Sequence, residues 1–189
     1  MQSASINQPR PVFDSQDISQ GIREIALGLL RRHPEPGGLG LVGIHTGGDL
    51  LLRRIEAAMA QASGGSLNLD KGLVDIAFYR DDWTRLRQVP KLNDTVINFP
   101  VEGRHLVLID DVIFSGRTVR AALEAIFSLG RPASVDLAVL VDRGHRELPI
   151  QPDFTGLDLT TQRNESVNVF LHPEPNQDHV LLEPGKYRE

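Results

Sequence analysis

The chain has 189 residues, 40% hydrophobic and 24% charged, with no cysteine. That length suits one compact domain with a real core, and absent cysteine rules out disulfide scaffolds, thiolate metal sites and a cysteine nucleophile. Lys and Arg total 20 against 25 Asp and Glu, a net charge of −5, so a general positive field for nucleic acid is excluded and any phosphate-bearing partner must meet a local site.

Residues 1–12 are polar, are expected to be flexible, and carry no apolar core of signal-peptide length. No run approaches a membrane span, so the expectation is a cytoplasmic protein without membrane contact. Asp14 or Ser15 can cap a helix that places Ile18, Ile22, Ile25, Ala26, Leu29 and Leu30 on one face and stops at Arg31-Arg32-His33 before Pro34. Residues 39–44 form a continuous apolar run, the mark of a buried strand, and after His45-Thr46-Gly47-Gly48 helical periodicity returns over 49–61. A second strand is predicted over 73–79. Residues 80–94 are polar and nearly free of apolar periodicity, a long loop of the kind that often serves as a lid, and 95–99 can return from it as a strand. Further strands are predicted at 106–109 and 134–141, around a helix over 117–129 that Gly130 and Pro132 stop. Strands alternating with helices imply a parallel sheet covered on both faces. Beyond Asp142 the pattern turns irregular, with one strand at 167–171 and a Pro-rich acidic tail.

The informative stretch is Leu106 to Ala122, LVLIDDVIFSGRTVRAA: an apolar strand, two adjacent carboxylates, a short loop from Val112 to Thr118, then a helix. Ligands on open α/β sheets bind at the carboxyl ends of strands, where Asp110 and Asp111 fall. The loop opens a helix, so free backbone N–H groups point outward; Ser115 and Thr118 add hydroxyls, and Gly116 permits a tight turn. That is an anion hole sized for a phosphate. Two carboxylates a sugar's width away can accept hydrogen bonds from vicinal hydroxyls, so one site would hold a phosphorylated ribose at both ends. Taken singly, an Asp-Asp pair or a glycine at a helix start is commonplace; this segment contains neither a GxxxxGK[ST] nor a GxGxxG pattern.

The ordered whole resembles the 5-phosphoribosyl-1-pyrophosphate (PRPP) motif of type I phosphoribosyltransferases. AFYRDD at 77–82 and VDRGHRELPI at 141–150 narrow the resemblance to pyrimidine-operon regulators that are also uracil phosphoribosyltransferases, in order from about residue 13 to 171. The resemblance implies one domain over 1–189: a parallel sheet flanked by helices, with a flexible hairpin loop and a small C-terminal hood at roughly 143–182. It implies transfer of phosphoribose from PRPP to uracil, giving UMP and diphosphate, together with control of the pyr operon. A weakly catalytic UMP- or PRPP-sensing regulator, and an enzyme for another nucleobase, are the alternatives.

Laid on this sequence, the family's roles give Asp110 and Asp111 the ribose hydroxyls and give the 5′-phosphate to Ser115, Gly116, Arg117 and Thr118, in a PRPP-binding loop that begins with Val112, Ile113 and Phe114. Thr46, Gly47 and Gly48 would meet the diphosphate, and Arg80 would begin a closing loop and join Asp110 and Asp111 in catalysis. Arg143 would reach PRPP or nucleotide, and the segment around Val167 would read the base edge. Mg²⁺ is implied, bound with PRPP through its oxygens and water and without a dedicated protein metal site. A homodimer or homotetramer is implied too, as is a pyr messenger RNA leader met through Arg143, His145 and Arg146. Three positions depart from the pattern. Gly47 stands where the family places a basic residue, leaving backbone N–H groups to meet the diphosphate, and Glu24 and Leu27 stand where basic or polar RNA contacts are expected.

Overall fold

In the computed structural model, which describes residues 8–76 and 95–184, the apolar runs become the middle of a six-stranded sheet. The elements follow in the order β1 (Arg10–Phe13), α1 (Ser15–Arg32), β2 (Gly40–Ile44), α2 (Gly48–Ser63), β3 (Asp70–Val74), β4 (Val96–Ile97), β5 (His105–Ile113), α3 (Arg117–Leu129), β6 (Ser134–Asp142), β7 (Phe154–Asp158), β8 (Ser166–Phe170) and β9 (His179–Glu183). The sheet runs β4-β3-β2-β5-β6-β7 and is parallel except for the short antiparallel edge β4. A second, antiparallel sheet of order β1-β9-β8 forms the hood. Among the described residues no helix is long and apolar enough to cross a membrane.

Alternation along β5 divides the core. Val107 and Ile109 pack with Ile18, Ile22 and Ile25 of α1 and Leu51, Ile55 and Met59 of α2, in the cluster that the hood's Val180 and Leu182 also join. Leu106 and Leu108 face the opposite way, onto Val119, Ala122 and Ile126 of α3. The local signals that start and stop α1 hold as the sequence implies. Asp14 Oδ1 accepts from the Gln16 and Asp17 N–H groups at 2.8 and 3.0 Å, and Asp17 Oδ2 accepts from the Asp14 N–H at 3.0 Å, a reciprocal cap. At its far end Arg32 and His33 reach Asp136 of β6, at 3.1 and 2.8 Å.

Several elements differ from the sequence expectation. β3 starts at Asp70, three residues earlier than residue 73, because its first residues are charged: Lys71 bonds Glu56 at 2.7 Å and Asp70 pairs with Arg104 at 3.0 Å. β5 runs on through both aspartates to Ile113, since its neighbour β6 continues beside it, with Asp110 opposite Val139 and Ile113 opposite Asp142. Within the segment read as irregular, β7 extends the main sheet and β9 pairs with both β8 and β1. Residues 10–13, of which 10–12 fall in the stretch expected to be flexible, form a strand instead and join the hood by pairing with β9. The predicted strand residues 77–79, the AFYRDD segment and the polar loop to residue 94 lie outside the described residues, as does Arg80.

The hood is tied to α2 by one buried ion pair. Arg54 donates through Nη1 to Asp178 Oδ2 and through Nη2 to the His172 carbonyl, and Asp178 Oδ1 accepts the His172 N–H at 2.8 Å. The Asp178 side chain is fully buried, so removing its cation leaves a charge with no water to take it up. Arg54→Met is expected to lower unfolding stability by about 3 kcal/mol in urea denaturation, with Asp178→Asn in the same chain restoring part of it. A loss under about 1 kcal/mol would place the pair with ordinary surface bridges.

Candidate active site

The two carboxylates at the end of β5 follow the strand's alternation to opposite faces. Asp110 shares the face of Leu106 and Leu108 and is 6% exposed, while Asp111 shares the face of Val107 and Ile109, toward α2 and the hood. The Asp111 N–H donates to Asp110 Oδ1 at 3.0 Å. Burial pushes the Asp110 carboxyl well above the usual carboxylate range, and the neighbouring Asp111 charge pushes it further. Burial raises Asp111 as well, against a backbone N–H from Val112 that favours its ionised form. Sugar hydroxyls donating to this pair, or a cation offsetting its charge, would relieve the penalty.

The phosphate loop is shorter than the sequence suggests. Val112 and Ile113 are the last strand residues, Phe114 to Gly116 make the turn, and Arg117 and Thr118 are already the first turn of α3. Gly116 takes φ +89, which favours glycine, and no side chain caps the helix. The Arg117 N–H donates to Ser115 Oγ at 3.3 Å. Three successive carbonyls turn away from the site onto the segment after β6. Ile113 O accepts from the Arg143 N–H at 3.2 Å, and Phe114 O accepts from Arg146 Nη1 at 3.2 Å. Ser115 O accepts from the Glu147 and Leu148 N–H groups at 2.9 and 3.2 Å. With carbonyls spent beneath, backbone N–H groups at the start of α3, those of Thr118 and Val119 among them, are left for a ligand above.

The VDRGHRELPI segment is therefore the floor of the phosphate loop. The Arg143 guanidinium lies 4.2 Å over the Phe114 ring and donates to Gln162 O at 3.0 Å. His145 Nε2 lies 2.8 Å from Thr161 O. Arg146 bonds Ile150 O at 3.0 Å and Asp142 at 2.5 Å in addition to Phe114. Glu147 holds Arg117 Nε at 2.8 Å and also pairs with Arg163. Arg143, His145 and Arg146, expected to face RNA, thus spend their polar groups inside the chain; sequence alone gives residue type and not the direction of a side chain.

On the Asp111 side of β5 a cavity of about 290 Å³ is lined by Thr46, Gly47, Leu50, Asp111, Val169 and Leu171. Thr46 and Gly47 take the expected place, after β2 and at the start of α2, with the His45–Thr46 peptide cis. Gly48 is instead a packing glycine, where a Cβ would stand 2.7 Å from Ile109 O and 3.0 Å from Gly43. Val167 lies in the core under the hood rather than on the cavity wall; Val169 and Leu171, two and four residues on, supply the wall, and period-two alternation from Val167 was the signal for them. Leu50 had no such signal. Among the described residues no cluster of three or more His, Asp or Glu side chains gathers to hold a metal.

A pH dependence follows from Asp110. A carboxyl whose proton affinity is raised on folding costs the folded state nothing below its unfolded value, and progressively more as pH climbs through the folded one. Asp110→Asn is expected to melt a few degrees higher than the parent at pH 7, with the difference gone below the ordinary value of 3.8. A variant that melts lower at pH 7 would show that the carboxylate is stabilising where it stands.

Comparison with known proteins places this geometry. The phosphoribosyl transferase domain family matches residues 12–175. The chain is 44% identical over 177 residues to the bifunctional protein PyrR of Syntrophobacter fumaroxidans, across 94% of each chain. It is 42% identical to that of Thermus thermophilus, across 90% of this chain and 93% of the other. Among solved structures, a hypoxanthine phosphoribosyl transferase of Trypanosoma cruzi superposes with TM-score 0.67 at 19% identity, over 97% of this chain and 95% of that one. That likeness carries the fold alone, which is the type I phosphoribosyltransferase fold. Sequence identity on this scale, over nearly the whole of both chains and around an intact PRPP motif, makes this chain a member of the PyrR family of phosphoribosyltransferases.

Proposed function

We propose that the chain transfers phosphoribose from PRPP to uracil, giving UMP and diphosphate, and regulates the pyr operon. The observation that carries the catalytic half is that one strand ends in a buried and a half-buried carboxylate, with a helix start following them and a 290 Å³ cavity on the Asp111 side. The 5′-phosphate sits on the N–H groups from Ser115 to Thr118. Asp110 and Asp111 accept from the ribose hydroxyls, which supply the donors these raised carboxyls lack. The diphosphate lies along Thr46 and Gly47, and uracil lies on the apolar wall of Leu50, Val169 and Leu171.

The bond from ribose C1′ to the diphosphate oxygen breaks with its electron pair leaving on oxygen. Positive charge grows on the sugar ring, and uracil N1 bonds C1′ from the opposite face as its proton passes to water or to the departing diphosphate. The buried carboxylates hold the ring in place and favour its growing positive charge, and backbone N–H groups at the α2 start favour the negative charge leaving. Mg²⁺ bound with PRPP supplies charge neutralisation at the diphosphate; Asp110 and Asp111 are the carboxylates that suit a cation taking one or two of them beside substrate oxygens.

For the regulatory half the partner is a pyr messenger RNA leader. Arg143, His145 and Arg146 serve it by keeping the nucleotide loop rigid, since their polar groups face inward. Phe127 and Leu129, exposed on α3, suit the homo-oligomer that the family reading implies.

With Mg²⁺, PRPP and uracil, the purified chain is expected to form UMP at least 100-fold faster than an Asp110→Asn/Asp111→Asn control. Equal rates would overturn the enzyme reading. UMP is expected to tighten binding to a pyr leader RNA; binding indifferent to UMP would overturn the regulatory half alone.

A further inference from the structure

Two consecutive residues in the floor of the phosphate loop take left-handed backbone, Gly144 at φ +73 and His145 at φ +64. Glycine adopts such values freely, whereas a residue with a Cβ is strained there. Among the described residues His145 is the one non-glycine with positive φ. Its place in the chain is particular. Before the pair, the Arg143 N–H bonds Ile113 O; after it, the Glu147 and Leu148 N–H groups bond Ser115 O. The backbone between these attachments has to turn so that both ends address carbonyls of one short loop.

What holds His145 in this conformation is its own side chain. A carbonyl oxygen only accepts, so Nε2 carries a hydrogen and donates to Thr161 O at 2.8 Å. The ring also meets Phe114 edge-on, with centroids 6.1 Å apart at 69°. Thr161 grips the near side of the same turn, its Oγ1 donating to Arg143 O at 3.1 Å. Because Thr161 lies between β7 and β8, the imidazole braces the turn against the approach to the hood. A strained backbone persists where its surroundings over-determine it, and these contacts are such surroundings.

We propose that His145 is a positioning residue for the phosphate loop. Its imidazole, anchored on Thr161, holds the left-handed turn that aims the Glu147 and Leu148 N–H groups at the Ser115 carbonyl. The side chain acts through the backbone and not by touching a ligand. The inference rests on the nucleotide reading of the site only for its ligand arm; the turn itself is a property of the free chain.

The test sets His145→Ala, which removes the anchor and keeps the strain, beside His145→Gly, which removes both. Amide hydrogen exchange at Glu147 and Leu148 in the free chain, followed by NMR, reads the attachment to Ser115 directly. Exchange there is expected to quicken about fivefold in the Ala chain and to stay within about twofold of the parent in the Gly chain. Calorimetric binding of ribose 5-phosphate is expected to follow the same order, about fivefold weaker with Ala and restored with Gly. A side chain that worked by its own contacts would be missed equally in both chains. Equal losses would therefore overturn the proposal, as would parent-like exchange and binding by His145→Ala. Should the Ala chain not fold, the Gly chain decides alone: faster exchange or weaker binding in it overturns the turn. If the parent itself fails to bind ribose 5-phosphate, the nucleotide reading falls, and the exchange arm still decides whether His145 positions the loop.

Discussion

The Ser115 carbonyl accepts two hydrogen bonds, from the Glu147 and Leu148 N–H groups, and the arrangement of the site depends on that attachment. A loop whose purpose is to present N–H groups has to dispose of its carbonyls somewhere. Here the segment after β6 takes them: Ile113, Phe114 and Ser115 are each bonded from below by a group between Arg143 and Leu148. Arg143 adds a guanidinium over the Phe114 ring, and Glu147 fixes Arg117 at the head of α3. The loop is thereby held open before any ligand arrives, and donors already in place cost little reorganisation when negative charge binds or develops. On the proposed reading, this is how a chain of net charge −5 meets a sugar phosphorylated at both ends. Backbone dipoles at helix starts carry the attraction, and the arginines nearest the loop serve as its supports.

The second constraint is the alternation of β5. Because the strand continues through both aspartates, Asp110 and Asp111 are sent to opposite faces. Asp110 bears the heavier burial penalty, while Asp111 reaches the α2 start and the cavity. Had the strand stopped at Ile109, both would lie in a solvated turn and neither would be fixed. The hood completes the cavity from the other side, and its grip on α2 through Arg54 and Asp178 sets Val169 and Leu171 opposite Leu50.

Elements with local signals were legible in the sequence. α1 and α3 carry their own caps or stops and a continuous apolar face, and the structure gives α3 the bounds Arg117–Leu129 that Gly130 suggests. The PRPP segment was legible because strand, carboxylates, loop and helix follow one another without interruption. What escaped is non-local. β9 is marked as a strand only by pairing with β1 and β8, and β1 stands at the other end of the chain. The run of β5 past its apolar residues is set by β6. Arg143, His145 and Arg146 look like a basic patch in one dimension, and only the loop folded above them shows where their donors go.

The central claim is that one nucleotide site is built from the end of β5, the start of α3 and the start of α2. A crystal structure of the chain with UMP tests it most directly. The 5′-phosphate should lie on the N–H groups from Ser115 to Thr118, with the ribose hydroxyls on Asp110 and Asp111 and the base against Leu50, Val169 and Leu171. UMP bound elsewhere, or in that cavity with its phosphate away from the α3 start, would contradict the account.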